Sequence, residues 1–166
     1  MPRGYISIGS NIDRDHNIPA SLQALEHCFG ELIASSIYET EPVGFSGDPF
    51  YNLVVGFDSD LSAKEVARQL RQIELDHGRA RGCKKFTART LDLDLILYGD
   101  LVLRDEQLQI PRDEIERYAF VLEPLAEIAP TLEHPISHIS YAELWDRFDK
   151  ANLKQKRITP SWMLTK

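Results

Sequence analysis

An α+β fold, a ferredoxin-like βαββαβ sandwich with extra C-terminal helices, is what these 166 residues predict, on three observations. Four segments alternate or run apolar in the manner of strands. Two helical segments with apolar stripes separate them in the order βαββαβ, and further helical segments come after them. No internal repeat, low-complexity tract or linker interrupts the chain, so residues 1–166 are expected to form one domain.

Tyr5 to Ser10 alternates and breaks at Gly9-Ser10-Asn11, a strand ending in a turn. Leu22, Leu25 and Phe29 stand at helical spacing, with Pro19 in the expected first turn and Gly30 at the end. Leu32 to Tyr38 reads as the second strand. Residues 41–50 hold two Pro and two Gly and predict a functional loop, after which Tyr51 to Phe57 is the third strand. Ser62-Ala63-Lys64-Glu65 is a capping box, and Ala63, Val66, Ala67, Leu70 and Ile73 form one apolar stripe of a helix running to Gly78. Leu91 to Gly99 is the fourth strand, with a short extension around Leu101 to Leu103. Helices are expected over Asp113–Ala126 and Tyr141–Phe148, and residues 150–166 read as a loosely attached tail.

Composition excludes several classes of function. With 43% hydrophobic and 27% charged residues the chain has the make-up of a globular protein. At this length roughly two-thirds of the unfolded surface can be buried, so no disulfide or structural metal is needed. Cys28 and Cys83 are 55 residues apart and form neither a CxxC nor a disulfide framework, which suits a reducing compartment. No apolar run approaches the ~20 residues of a membrane span. The expectation is a cytoplasmic protein. A balance of 19 Lys and Arg against 26 Asp and Glu, net −7, argues against nucleic-acid and anionic-membrane partners.

One segment contradicts that average. Arg79, Arg81, Lys84, Lys85 and Arg89 place five cations in eleven positions with no acidic residue among them. A solvated basic loop is one reading and a phosphate grip is the other. The second gains from the adjoining strand, because Asp92 and Asp94 are two apart on it and leave the same face, roughly 7 Å apart at Cα. Their neighbours Leu91, Leu93, Leu95 and Leu97 are expected on the opposite face. Two like charges so close suit a divalent cation, although D-x-D alone is a weak signal and an edge strand with two exposed Asp would look the same. Carboxylate-held Mg²⁺ beside Arg residues is recurring equipment for polyphosphate chemistry. Neither a Walker A sequence nor GxGxxG is present, so side chains would have to hold the phosphates. Glu74 lies one helical turn after Leu70, near the buried stripe, and points either into a cleft or out to solvent. Phe50, Asn52 and Phe120 by themselves read as core residues and a turn. No arrangement of Ser, His and Asp suggests nucleophilic catalysis.

Taken in order, Tyr5-Ile6-Ser7-Ile8-Gly9-Ser10-Asn11, Tyr38-Glu39-Thr40-Glu41-Pro42-Val43-Gly44, Glu74 with Gly78-Arg79-Ala80-Arg81, and Arg89 through Gly99 resemble the 6-hydroxymethyl-7,8-dihydropterin pyrophosphokinases of folate biosynthesis. The resemblance spans roughly residues 4–145, and Arg89-Thr90-Leu91-Asp92-Leu93-Asp94 is its most specific block. It implies a monomer that moves the terminal diphosphate of ATP onto the hydroxymethyl group of the pterin and releases AMP. It also implies roles. Asp92 and Asp94 match carboxylates that hold two Mg²⁺ ions, and Arg79 and Arg89 match arginines of a catalytic loop. Glu74, Arg81 and Leu95 match nucleotide-site positions. Thr40, Val43, Phe50, Asn52 and Phe120 match the pterin pocket, with Phe50 and Phe120 sandwiching the ring and Asn52 reading its amide edge.

The chain also departs from the family. Arg112-Asp113 stand where His-Tyr is usual, Tyr118 where an Arg is frequent, Phe86 in place of a Trp and Ala88 in place of a Pro. The loop before Asn52 is one residue shorter. Most of these changes touch the nucleotide side, and they motivate a second reading, a paralogue that binds pterin without the usual transfer. A third, an RNA-binding module, is opposed by the net charge, the Asp pair and the lack of an RNP-like aromatic motif.

Overall fold

The computed structural model describes residues 2–41, 48–77, 91–151 and 153–163. Its elements are β1 (Arg3–Ser10), α1 (Arg14–Phe29), β2 (Ile33–Ala34), β3 (Ile37–Thr40), β4 (Phe50–Asp58), α2 (Ala63–Asp76) and β5 (Asp92–Tyr98). Beyond these lie β6 (Leu103–Arg104), β7 (Gln109–Ile110), α3 (Glu114–Arg117), α4 (Ala119–Ile128), α5 (Tyr141–Arg147) and β8 (Gln155–Ile158). The main sheet runs β5-β1-β4-β3-β8 with antiparallel neighbours, and β2 pairs with β4 beside β3. Within it the first four strands of the βαββαβ unit take the spatial order fourth, first, third, second, which is the predicted ferredoxin-like arrangement.

Alternation along the strands separates two cores. Ile6, Ile8, Tyr51, Leu53, Val55, Phe57, Leu93 and Leu95 point to the side covered by α1 and α2. Tyr5, Val54 and Ile96 point to the other side, where Val121, Leu122 and Leu125 of α4 and Tyr141 of α5 cover them. The capping box is formed as expected: Ser62 Oγ accepts from the Glu65 amide at 3.1 Å, and α2 lays Val66, Leu70 and Ile73 on the sheet.

Several expectations need correction. The helix read with Pro19 in its first turn begins earlier, at Arg14, because the Asp13 carbonyl already accepts from the amides of His16 and Asn17. The single strand expected over Leu32–Tyr38 divides into β2 and β3. The Ser36 amide and hydroxyl bind the Glu127 carboxylate at 2.9–3.1 Å instead of joining a ladder, an instance of side-chain chemistry competing with the sheet. Leu97 leaves the apolar face assigned to it: the β1–β5 register shifts between Tyr5 and Ile6, and the bulge turns both Ile96 and Leu97 toward α4. The helix expected over Asp113–Ala126 is broken at Tyr118, which is extended (φ −124°, ψ 126°). The tail is anchored: β8 pairs with β3, and Trp162 Nε1 donates to Asp15 Oδ1 at 3.0 Å. Its hold comes from alternation, with Ile158 against the first core while Gln155 and Arg157 reach α4 and Tyr38.

Candidate active site

Strand register assembles the site. On the α4 side of the sheet, Asp92 of β5 pairs with Gly9 of β1, and Gly9 pairs with Asn52 of β4. Asp94 pairs with Ser7 one step along. Both aspartates are half-buried, on the same face, as the two-residue spacing requires. Gly9 is what allows the row to close, since a Cβ there would lie 2.8 Å from Asn52 Oδ1. Asn52 is buried, and its Nδ2 donates to Thr40 Oγ1 at 2.6 Å across the β4–β3 pairing.

The foot of the loop before β4 is tied to the same end of the sheet. Asn11 Nδ2 donates to the Asp48 carbonyl at 3.2 Å, and Arg14 donates to the Pro49 carbonyl at 2.9 Å while lying 4.0 Å over the Tyr51 ring. Phe50 comes directly after, half-buried and paired with Thr40. Phe120 stands in the first turn of α4 over this region. It stacks on Tyr118 with ring centroids 5.1 Å apart and planes 15° from parallel. In an unbroken helix side chains two apart would point nearly opposite ways, so the break at Tyr118 is what brings these rings together. Thr40, Tyr118 and Phe120 line one cavity of about 340 Å³.

Arg112 is the cation the described residues bring to the carboxylates. Its amide donates to the Ile96 carbonyl at 3.1 Å, which places it beside β5. Its guanidinium holds Glu114 Oε2 through Nη2 at 2.6 Å and Nε at 3.2 Å. Burial pulls this guanidinium down, but the charges of Asp94, Glu114 and Asp92 more than offset that and hold it above the ordinary arginine value. A positive charge is therefore fixed beside Asp94.

The remaining expected residues fall in three places. Glu74 is 5% exposed, which excludes the outer-face reading, and its Oε2 accepts from the Leu93 amide at 2.7 Å. Leu95 is 3% exposed within the first core, on the α1–α2 side and away from the carboxylates. Val43 and the cations Arg79, Arg81, Lys84, Lys85 and Arg89 lie outside the described residues, as do Phe86 and Ala88. Sequence reasoning did not place Gly9, Ser7 or Glu114 in the site, and it counted Tyr118 among the changes on the nucleotide side without its stacking on Phe120. Only the β1 register could have flagged the first two, and only the helix break that stacking.

A divalent cation fits the donor set. Two hard carboxylates on one face, with an arginine beside them, suit Mg²⁺ bound together with phosphate oxygens; that ion takes one or two carboxylates instead of a full protein cage. Among the described residues no group of three or more His, Cys, Asp or Glu forms such a cage, and no helix is long and apolar enough to cross a membrane.

Known proteins resemble this chain over most of its length. The family model described as 7,8-dihydro-6-hydroxymethylpterin-pyrophosphokinase matches residues 5–130. The 2-amino-4-hydroxy-6-hydroxymethyldihydropteridine pyrophosphokinase of Haemophilus influenzae is 34% identical over 164 residues, covering 96% of this chain and all of the relative. That of Pseudomonas aeruginosa is 37% identical over 139 residues, 81% of this chain and 85% of the relative. Folic acid synthesis protein fol1 of Schizosaccharomyces pombe is 34% identical over 90% of this chain, which spans only 21% of it. Among solved structures, wild-type Plasmodium falciparum HPPK-DHPS with pteroate superposes with a TM-score of 0.78 at 13% identity, a likeness of fold that covers 96% of this chain and 48% of that one.

Proposed function

The chain belongs to the 7,8-dihydro-6-hydroxymethylpterin-pyrophosphokinase family and transfers diphosphate from ATP to the hydroxymethyl group of 6-hydroxymethyl-7,8-dihydropterin in folate biosynthesis; we propose that the carboxylate face of β5 and the aromatic end of β3, β4 and α4 are the two halves of its active site. The observation that carries this reading is the row Asp92–Gly9–Asn52: a glycine alone separates the strand of carboxylates from a buried amide on one sheet face.

In this reading Phe50 and Phe120 take the pterin between them, since a flat heterocycle gains from aromatic contact on both faces. Asn52 commits one N–H to Thr40, and its carbonyl and second N–H supply the acceptor and donor for the ring's amide edge. Val43 completes the pocket. The family's reaction uses ATP and Mg²⁺, and Asp92 and Asp94 would hold two ions. Bound there, Mg²⁺ neutralises phosphate oxygens of the nucleotide. Arg79 and Arg89 neutralise charge on the transferring phosphates, Arg112 adds a fixed charge beside Asp94, and Glu74, Arg81 and Leu95 belong to the nucleotide side.

The hydroxymethyl oxygen attacks the β-phosphorus while the bond from that phosphorus to the oxygen bridging to the α-phosphorus breaks. The hydroxyl proton goes to solvent and AMP departs. No covalent enzyme intermediate is needed, so the protein contributes placement and charge neutralisation. Residues 1–166 act as one catalytic domain, as a cytoplasmic monomer on small-molecule substrates, with neither nucleic acid nor membrane as partner, in keeping with the net charge of −7.

The test is product analysis after incubation with Mg²⁺, ATP and 6-hydroxymethyl-7,8-dihydropterin. AMP formed only when the pterin is present is the expected result. ADP would mean single-phosphoryl transfer, and pterin binding without nucleotide turnover would favour the paralogue.

A further inference from the structure

The Tyr118 break leaves Phe120 on a first helical turn that continues from no preceding turn, so its position depends on what holds that turn to the sheet. Val121 and Leu122 pack that turn on the sheet, and a polar tie at its pocket end comes from Gln155, in the segment expected to be a loose tail. Its backbone is laddered to Thr40, and its Nε2 donates to the Ala119 carbonyl at 3.1 Å and to Glu123 Oε1 at 2.7 Å. One side chain thus spans from β8, the strand paired with β3 at Thr40, to the residue before Phe120 and to the next turn of the same helix. Gln155 also lines the 340 Å³ cavity together with Thr40 and Phe120, and Phe148 and Leu153 of the C-terminal region complete that wall.

We propose that Gln155 is a positioning residue for pterin, setting the distance between the Phe120 ring and the Thr40–Asn52 amide pair, so that the C-terminal strand is a working wall of the substrate pocket. The inference rests on the reading of Phe120 and Asn52 as pterin residues. Gln155 does not carry the fold of this region alone. Two residues on, Arg157 donates to the Tyr38 hydroxyl at 3.1 Å, and that hydroxyl donates to Glu127 of α4 at 2.7 Å. This second tie joins strand to helix away from the pocket. Loss of the Gln155 bridge therefore loosens the pocket end of α4 and leaves the sheet intact.

Steady-state kinetics on the full chain test this with Gln155→Glu, which removes the donor and places a like charge against Glu123. The expected result is a KM for 6-hydroxymethyl-7,8-dihydropterin raised about tenfold, as for the loss of two hydrogen bonds, with kcat and the KM for ATP within about twofold. Adding Glu123→Gln restores a donor–acceptor pair between the two positions and brings the pterin KM back most of the way. Lys156→Ala, an exposed neighbour on the same strand, changes nothing. A pterin KM unchanged in Gln155→Glu, or pterin and ATP KM values rising together, overturns the proposal. If Gln155→Glu melts below the assay temperature, Gln155→Ala is measured instead under the same criteria. Wild-type protein that does not bind pterin, or Phe120→Ala that binds it normally, overturns the pocket reading and the proposal with it. Pterin binding that needs Phe120 but is indifferent to Gln155 overturns the proposal alone.

Discussion

Asp94 stands half-buried beside Asp92 and faces the guanidinium of Arg112. Removing its charge relieves repulsion from Asp92 and forfeits attraction to Arg112, two effects of opposite sign in the folded state. In the reaction there is no such opposition, because the carboxylate's task is to hold a cation against polyphosphate. Asp94→Asn is expected to lower kcat at least about a hundredfold while changing unfolding free energy by no more than about 1 kcal/mol. Initial rates and denaturant titration measure the two quantities, and an unchanged rate would remove Asp94 from the metal site. The pair was legible in the sequence because a period of two puts both carboxylates on one face whatever the rest of the fold does. Gly9 was not legible, because its importance comes from Asn52 on another strand.

An edge strand carries this pair, and an edge has outward-facing amides that need partners. Glu74 supplies one: its carboxylate accepts from the amide of Leu93, the residue between the two aspartates. Glu74→Ala leaves that buried N–H unmet, at a cost of about 1–3 kcal/mol. The melting temperature should fall by roughly 2–4 °C for each kcal/mol in a chain of this size. Glu74→Gln keeps an acceptor and should restore most of the loss. Thermal melting of the two variants, with hydrogen exchange of the Leu93 amide, separates the outcomes. Equal melting of wild type and Glu74→Ala would show that Glu74 does not brace β5. Here the apolar stripe of α2 was readable from its 3.6-residue period, whereas the partner of Glu74 was not, since a residue 19 positions away becomes its neighbour only once the strand is laid down. The helix break at Tyr118 escaped for a related reason. Nothing in Arg117-Tyr118-Ala119 is a helix breaker, and the stacking of Tyr118 on Phe120 arises only in the folded chain.

Two apolar layers, one under α1 and α2 and the other under α4 and α5, sandwich the sheet, and each is made of side chains alone. That is why the long strands and, Leu97 apart, the sidedness of β5 could be read from periodicity, while β8, with only four residues and exposed Lys156 and Arg157 among them, could not. It also separates what folds the molecule from what the molecule does. The carboxylates stand in the first half of β5 and belong to neither apolar layer, so a cation bound to them adds to the site and contributes little to the core. A chain of this length buries enough surface to fold without a metal. Stripping divalent ions with a chelator is therefore expected to abolish AMP formation and to shift the melting temperature by less than about 2 °C, with full activity regained on adding Mg²⁺. Calorimetry and product analysis on the same chelated sample decide the matter. A fall of many degrees would mean that the carboxylate face is part of what holds the sheet together, and the division between scaffold and site would fail.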